Sequence, residues 1–213
     1  MKPCRNYLLL AAGVLGLALA LPCGSAAAPG QTFHFRFMGL TGSTFFDSLD
    51  VTGCVETVAD VEAVNGRVKM ASGGPEVTSS AFVSIAQFDN CGMTVLLEAF
   101  GSADLPAGAF QIDKKLASAT LNTSIDMFDF VSGTTFPADI SMNWTGTGEA
   151  PSVSRDHTMF RAPGFRVNST FTGTSHLATA SGSVTAGGTN FSPSPAVFAD
   201  LENVKQGELD VLH

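Results

Sequence analysis

The stretch LNTSIDMFDFVSGTTFPADISMNW, residues 121–144, decides the fold class. Apolar and polar residues alternate through its first seven and its last nine residues. A period of two is typical of β-strands that bury one face, because successive side chains of a strand point to opposite sides. The stretch therefore predicts two antiparallel strands, at 121–130 and 138–145, and it places Trp144 in the core.

The same alternation recurs on both sides of this stretch. In TFHFRFM, residues 32–38, three Phe side chains share one face while His34 and Arg36 take the other. FRVNSTFTG at 165–173 and ATASGSV at 178–184 predict two further strands, and no part of the chain after the N-terminal apolar run has a sustained helical period. About ten strands at this spacing predict an all-β fold, an antiparallel β-sandwich, with a closed or partly open β-barrel as the alternative.

Turn signals separate the predicted strands. Asn65-Gly66 is the strongest short hairpin signal, so we expect a tight turn between strands at 58–64 and 67–70. FDNCGM at 88–93 predicts another turn between two apolar runs. Both turns fit the short connections of an antiparallel sheet.

The first 27 residues have the pattern of a secretory signal peptide. Lys2 and Arg5 form a positive start, Tyr7–Leu21 is an uncharged apolar run, and small residues follow. The run is shorter than the roughly 20 apolar residues of a membrane-spanning helix, so we expect no insertion into a membrane. The expectation is therefore a single all-β domain at 28–213, secreted or extracellular with the periplasm as the alternative, from a bacterial source.

Cys54 and Cys91 are the two cysteines that remain after residue 27. Exported proteins meet oxidising conditions, in which two thiols usually pair. Neither a CxxC spacing nor a cluster of histidines supports a redox or metal pair instead. We therefore predict a structural disulfide between Cys54 and Cys91, and neither a metal ion nor another cofactor.

Residues 28–213 are strongly acidic. They carry nine of the 11 Lys and Arg residues and all 19 Asp and Glu residues, a net charge of 9 − 19 = −10. This balance argues against nucleic acid as a partner, because phosphate contacts need clustered Lys and Arg. The same residues include 17 Phe and one Trp but no Tyr, which weakens the case for a carbohydrate-binding module that stacks sugars on Trp and Tyr. We expect an unknown protein or a glycan as the partner.

The stretch SRDHTMFRAPGFRV, residues 154–167, is the most highly charged part of the chain. Arginine offers a planar fork of donors that binds carboxylate, sulfate or phosphate. The candidate anion-binding residues are Arg155, His157, Arg161 and Arg166. The stretch also fits a polar connection that leads into a strand near Phe165, in which Arg166 points outward.

Catalytic motifs do not accompany this stretch. The sequence has no nucleophile elbow, HExxH zinc motif or phosphate-binding glycine loop. His34 is expected on the polar face of a strand and His176 in a turn, so neither is an obvious ligand or base. The sequence therefore favours a non-enzymatic exported β-domain with a binding, adhesion or surface-structural role. The alternatives are a small secreted hydrolase or lyase that uses residues 155–166, and a carbohydrate-binding module.

Overall fold

A computed structural model describes residues 32–70, 73–163, 165–192 and 195–212, and the regular structure of these residues is entirely β. The predicted signal peptide at 1–27 lies outside the described residues. The strands are β1 (Thr32–Leu49), β2 (Val55–Met70), β3 (Glu76–Asp89), β4 (Thr94–Asp104), β5 (Phe110–Ile112), β6 (Ser118–Asp129), β7 (Thr134–Gly146), β8 (Ser152–Ala162), β9 (Phe165–Ala186), β10 (Thr189–Asn190) and β11 (Phe198–Leu212).

The strands form one antiparallel sheet whose hydrogen-bonded path returns to its starting point. β1 pairs with β2, β2 with β3, β3 with β4, β4 with β6, and β6 with β7. β9 closes the path because it pairs with β7 along one edge and with β11 along the other, and β11 pairs with β1. Eight of the described strands therefore make a ring, while β5, β8 and β10 pair with β6 or β9. The predicted all-β antiparallel class is confirmed.

The inner face of the ring is apolar. Its largest fully buried side chains are Trp144, Phe46, Ile85, Leu121, Ile125, Met127 and Met142. The placement of Trp144 in the core is confirmed, since its side chain is 1% exposed. Its Nε1 donates a hydrogen bond to Ser43 O at 2.9 Å, and its ring meets that of Phe110 edge-on. The one polar atom of the indole is thus satisfied inside the core.

Residues 65–66 do not form the predicted hairpin turn, and that prediction is wrong. β2 continues unbroken through them, and Gly66 pairs with Gly39 of β1. The Phe37 ring lies over both glycines, and a Cβ atom at Gly66 would come within 2.8 Å of Phe37 Cε2. Glycine favours a turn because it allows the chain to reverse, but inside a strand it instead allows another group to approach the backbone closely. Here it makes room for an aromatic ring.

β9 is one long strand where the sequence predicted two. It covers both 165–173 and 178–184. Its two halves have different partners along the same edge, because residues 165–175 pair with β8 and residues 178–185 pair with β7. The ring is therefore closed only along the second half of β9, and along the first half the sheet ends at β8.

The predicted Cys54–Cys91 disulfide is confirmed, with the two Cα atoms 5.2 Å apart. Cys91 lies in the turn predicted at 88–93, and Cys54 lies between β1 and β2, so the bridge fastens two neighbouring connections together. Asp50 supports the first connection by accepting hydrogen bonds from the backbone N–H groups of Cys54 and Val55, both at 3.0 Å. The bond from Val55 is the main cause that lowers the pKa of Asp50.

Candidate functional site

Residues 154–162 and 165–167 lie in strands, not in the polar connection that the sequence suggested. β8 and the start of β9 form a hairpin, with Arg161 opposite Arg166 next to its turn. Every residue of β8 is exposed, so neither of its faces carries the apolar alternation that identifies a strand in a sequence. The prediction that a strand begins near Phe165 is confirmed.

The register of this hairpin places all four candidate residues on one face. Arg155, His157 and Arg161 alternate along β8, and Arg166 is the partner of Arg161 on β9. Directly opposed residues of an antiparallel pair lie about 5 Å apart at Cβ. The four side chains therefore lie along one side of the hairpin.

Neighbouring strands add five further basic side chains to the same side of the sheet. From β8 through β9, β11 and β1 to β2, one line of paired residues, named the Lys205 row, reads Arg155, Thr172, Lys205, Met38 and Arg67. The next line, named the Arg36 row, reads His157, Thr170, Gly207, Arg36 and Lys69. His34 lies on the same side, two residues before Arg36. This side of the five strands is named the basic face.

The basic face holds most of the positive charge after residue 27. Seven of the nine Lys and Arg residues lie on it, and the other two are Lys114 and Lys115, between β5 and β6. Within the described parts of the five strands, no position that alternates onto this face is Asp or Glu. Basic side chains therefore predominate on this face although the net charge is negative.

An open depression of about 530 Å³ lies in the middle of the basic face. Its lining comprises His34, Arg36, Met38, Asn168, Thr170, Thr172, Lys205, Gln206, Gly207 and Glu208. Gly207 is the central residue of the Arg36 row, and its lack of a side chain keeps the floor low. Arg36 and Lys205 are diagonal neighbours across β1 and β11, so both border the same space. Glu208 borders it too, although the alternation of β11 assigns its side chain to the opposite face.

The ring of His157 is held against β9. Its Nε2 atom lies 2.6 Å from Asn168 Oδ1. An amide oxygen can only accept, so Nε2 carries the proton and donates it to this bond. Because Asn168 lines the depression, the hydrogen bond connects His157 to its rim.

Two pairs of like charges oppose each other directly on the basic face. Arg36 of β1 is the partner of Lys69 of β2, and Arg161 of β8 is the partner of Arg166 of β9. Like charges in directly opposed positions destabilise a sheet, by up to about 1 kcal/mol for each pair. A bound anion would remove this repulsion.

Carboxylates cluster on the opposite face of the same strands. Glu62 of β2 and Asp200 of β11 are both partners of Ser43 of β1, and Asp60 and Glu202 lie two residues away on their strands. Burial, and then the charges of Asp60, Glu202 and Asp200, raises the pKa of Glu62 to about 7. Burial followed by the charge of Asp200 raises the pKa of Glu202. Cations and carboxylates thus occupy opposite sides of one sheet.

His176 lies in β9, so its predicted position in a turn is wrong. Its Nδ1 and Nε2 atoms are each 2.8 Å from a backbone carbonyl oxygen, of Leu116 and Thr147 respectively. Carbonyl oxygens only accept, so both hydrogen bonds form only when both ring nitrogens carry protons. His176 therefore ties β9 to two connections of the ring, which is a structural role.

The described residues contain no group of three or more His, Cys, Asp or Glu side chains placed to hold a metal ion. No helix long and apolar enough to cross a membrane occurs among them either. No protein-family model matches the chain, and neither a curated protein nor a solved structure matches it significantly. The functional assignment therefore depends on the geometry of the basic face.

Proposed function

We propose that this protein is an exported, non-enzymatic binding domain that recognises an anionic ligand on the basic face. The observation that carries the proposal is the separation of charge. Seven of nine Lys and Arg residues alternate onto one face, to which no Asp or Glu alternates in the same strands. A surface that serves only solubility mixes both signs of charge, and a field of one sign serves to attract a ligand of the other.

The depression supplies the concave shape that ligand recognition needs. Arg36 and Lys205 border it with charged donors, and Thr170, Thr172 and Asn168 border it with neutral hydroxyl and amide groups. Sites for small ligands combine a cleft of roughly this size with a few polar groups that fix the orientation of the ligand. The like-charge pair of Arg36 and Lys69 lies next to this space, where an anion would bridge the two cations.

The alternative of a hydrolase or lyase has less support at this site. General acid–base chemistry beside the arginines would require a carboxylate or an activated histidine that faces the ligand. Gly207 occupies the floor, and Glu208 alternates to the other face. The ring of His157 is bonded to the Asn168 amide, not to a carboxylate that would raise its basicity. These contacts favour binding over catalysis.

Titration with citrate and with inorganic sulfate at constant ionic strength tests the proposed function. The Arg36→Gln/Lys205→Gln double variant is expected to bind citrate about tenfold more weakly or worse, because hydrogen bonds to charged groups are lost. The Lys114→Gln/Lys115→Gln double variant is the matched control, since it removes the same charge away from the basic face. Equal weakening in both variants would mean that only net charge matters, and the absence of citrate and sulfate binding in the wild type would refute the proposal.

A further inference from the structure

The cations of the basic face are spread out instead of being gathered around one point. In the Lys205 row, Arg67, Lys205 and Arg155 are each two strands apart, a spacing of about 10 Å at the backbone. The row spans four strand intervals, or about 19 Å, from β2 to β8. One sulfate or phosphate cannot contact both ends of such a row. The spacing therefore suits a ligand that carries several negative charges along its length.

The strip between the two rows crosses five strands, and the depression occupies its middle, on β9, β11 and β1. The Arg36 row lies two residues further along each strand than the Lys205 row, a separation of about 7 Å. The depression lies at the centre of this strip, with Gly207 as its low point. Lys69 marks one end of the strip, and His157 on the exposed strand β8 marks the other. An extended chain along this strip would therefore pass Arg155, Lys205 and Arg67 on one side, and Arg36 and Lys69 on the other side at its β1–β2 end.

The neutral groups around the depression favour a sugar chain over a nucleic acid. Thr170, Thr172 and Asn168 offer hydroxyl and amide groups that match the hydroxyl groups of a polysaccharide. Within the described parts of the five strands, no Phe, Tyr or Trp alternates onto the basic face between the Lys205 row and Arg166. Single-stranded nucleic acids bind on aromatic stacking platforms, so the lack of aromatic side chains on this part of the described strands weighs against them.

We infer that the basic face binds a linear acidic polysaccharide, carboxylated or sulfated, whose chain lies across the strands between the two rows. This inference rests on the proposed function and names its ligand class. In a 1,4-linked chain, every second sugar recurs at an interval comparable with the spacing of Arg67, Lys205 and Arg155. The charges on every second sugar can therefore each meet one of these three cations. Ion pairs and hydrogen bonds hold the chain, which explains how it binds without the stacking that Trp and Tyr provide in other sugar-binding faces.

Oligosaccharides of increasing length, prepared from a polyuronate, test the inference by calorimetry with the folded protein. Affinity is expected to rise at least tenfold between a disaccharide and an oligomer long enough to reach from Arg67 to Arg155, and then to level off. The Arg67→Gln/Arg155→Gln variant is expected to lose this gain but to keep the disaccharide affinity, because Arg36 and Lys205 remain at the centre. The Lys114→Gln/Lys115→Gln variant removes the same charge and is expected to keep the gain.

A second variant changes the shape of the depression without changing its charge. A Cβ atom at Gly207 would lie 3.1 Å from Thr170 Oγ1, so Gly207→Val raises the floor between the two rows. We expect it to bind the long oligomer about tenfold more weakly while the protein keeps its circular dichroism spectrum. Unchanged affinity for the oligomer would place the chain elsewhere and overturn the inference.

The remaining outcomes separate this inference from the proposed function. Affinity that does not change with oligomer length, while citrate and sulfate still bind, would overturn the polysaccharide and leave anion binding intact. An uncharged oligosaccharide that binds as tightly as the charged one would overturn both. Tighter binding of a single-stranded oligonucleotide, or of vesicles that contain anionic phospholipid, at matched charge would assign the face to another polyanion.

Discussion

Replacement of Glu62 by glutamine is expected to stabilise the protein above neutral pH. Glu62 is partly buried on the side of the sheet opposite the basic face, between Ser43 of β1 and Phe82 of β3. Burial, and then the neighbouring charges of Asp60, Glu202 and Asp200, raises its pKa from 4.5 to about 7. Glutamine keeps the size of the side chain and removes its titration.

The size of the effect follows from the difference between the folded and unfolded pKa values of Glu62. With 4.5 in the unfolded chain and about 7 in the folded protein, the shift corresponds to about 3 kcal/mol, because one pKa unit is worth about 1.4 kcal/mol. Between these two pH values the folded state binds more protons than the unfolded state, so stability falls as pH rises. The contribution of neutral Glu62 is complete below pH 4.5 and lost above about pH 7.

Urea unfolding of the wild type and of Glu62→Gln at pH 4, 6 and 8 measures this difference. The free energy of unfolding of the variant minus that of the wild type is expected to increase by about 3 kcal/mol from pH 4 to pH 8. Glu149→Gln, on an exposed connection, is the matched control, because it removes the same charge from solvent. Parallel pH profiles for Glu62→Gln and the wild type would refute the reasoning.

Three further predictions concern the basic face, the disulfide and the core. Lys69→Glu is expected to raise the free energy of unfolding by up to about 1 kcal/mol in the absence of ligand, because it converts the like-charge pair with Arg36 into an ion pair. The same variant is expected to bind citrate more weakly. A variant that is less stable than the wild type in urea unfolding would contradict the first expectation. Cys54→Ser/Cys91→Ser is expected to lower the free energy of unfolding by about 4 kcal/mol, since the bridge spans a sequence separation of 37 residues. A urea midpoint of the variant equal to that of the oxidised wild type would count against this expectation. Trp144→Phe is expected to cost about 2 kcal/mol, because it removes the hydrogen bond from the indole to Ser43 O and shortens a fully buried side chain. A thermal shift below a few degrees would contradict it.

The hairpin of β6 and β7 could be predicted from the sequence because one of its faces is buried and the other is in solvent. Ser118–Asp129 and Thr134–Gly146 include the predicted strands at 121–130 and 138–145 to within a few residues. Asp129 ends β6 by accepting hydrogen bonds from the backbone and side chain of Ser132, and the side-chain bond is the main cause that lowers its pKa. Here the local pattern and the tertiary environment agree, so the local pattern is sufficient.

The basic face could not be predicted because it depends on strand pairing over long distances. Arg36 and Lys205 are 169 residues apart in the sequence and become diagonal neighbours only through the pairing of β1 with β11. The alternation of β1 does place His34 and Arg36 on the face away from Phe35, as predicted, but it does not indicate which strands lie beside them. β8 could not be predicted for another reason, since a strand exposed on both faces has no apolar period in its sequence.

The side chains on one side of β9 change from apolar to polar along the strand, and this change marks the boundary between the core and the basic face. The side chains that face the ring interior near its C-terminal end are Ala178, Ala180 and Val184, where β7 closes the ring along the edge of β9. On the same side of the strand, the residues toward its N-terminal end are Arg166, Asn168, Thr170, Thr172 and Thr174, where β8 replaces β7. Apolar residues therefore occur where the sheet is closed, and polar and cationic residues occur where the same surface opens to solvent. Charges on a closed inner face would need buried partners, whereas on the open part they can stay hydrated. The change of partner along one strand thus explains why one continuous surface can serve as the core at one end and as a charged, solvent-facing surface at the other.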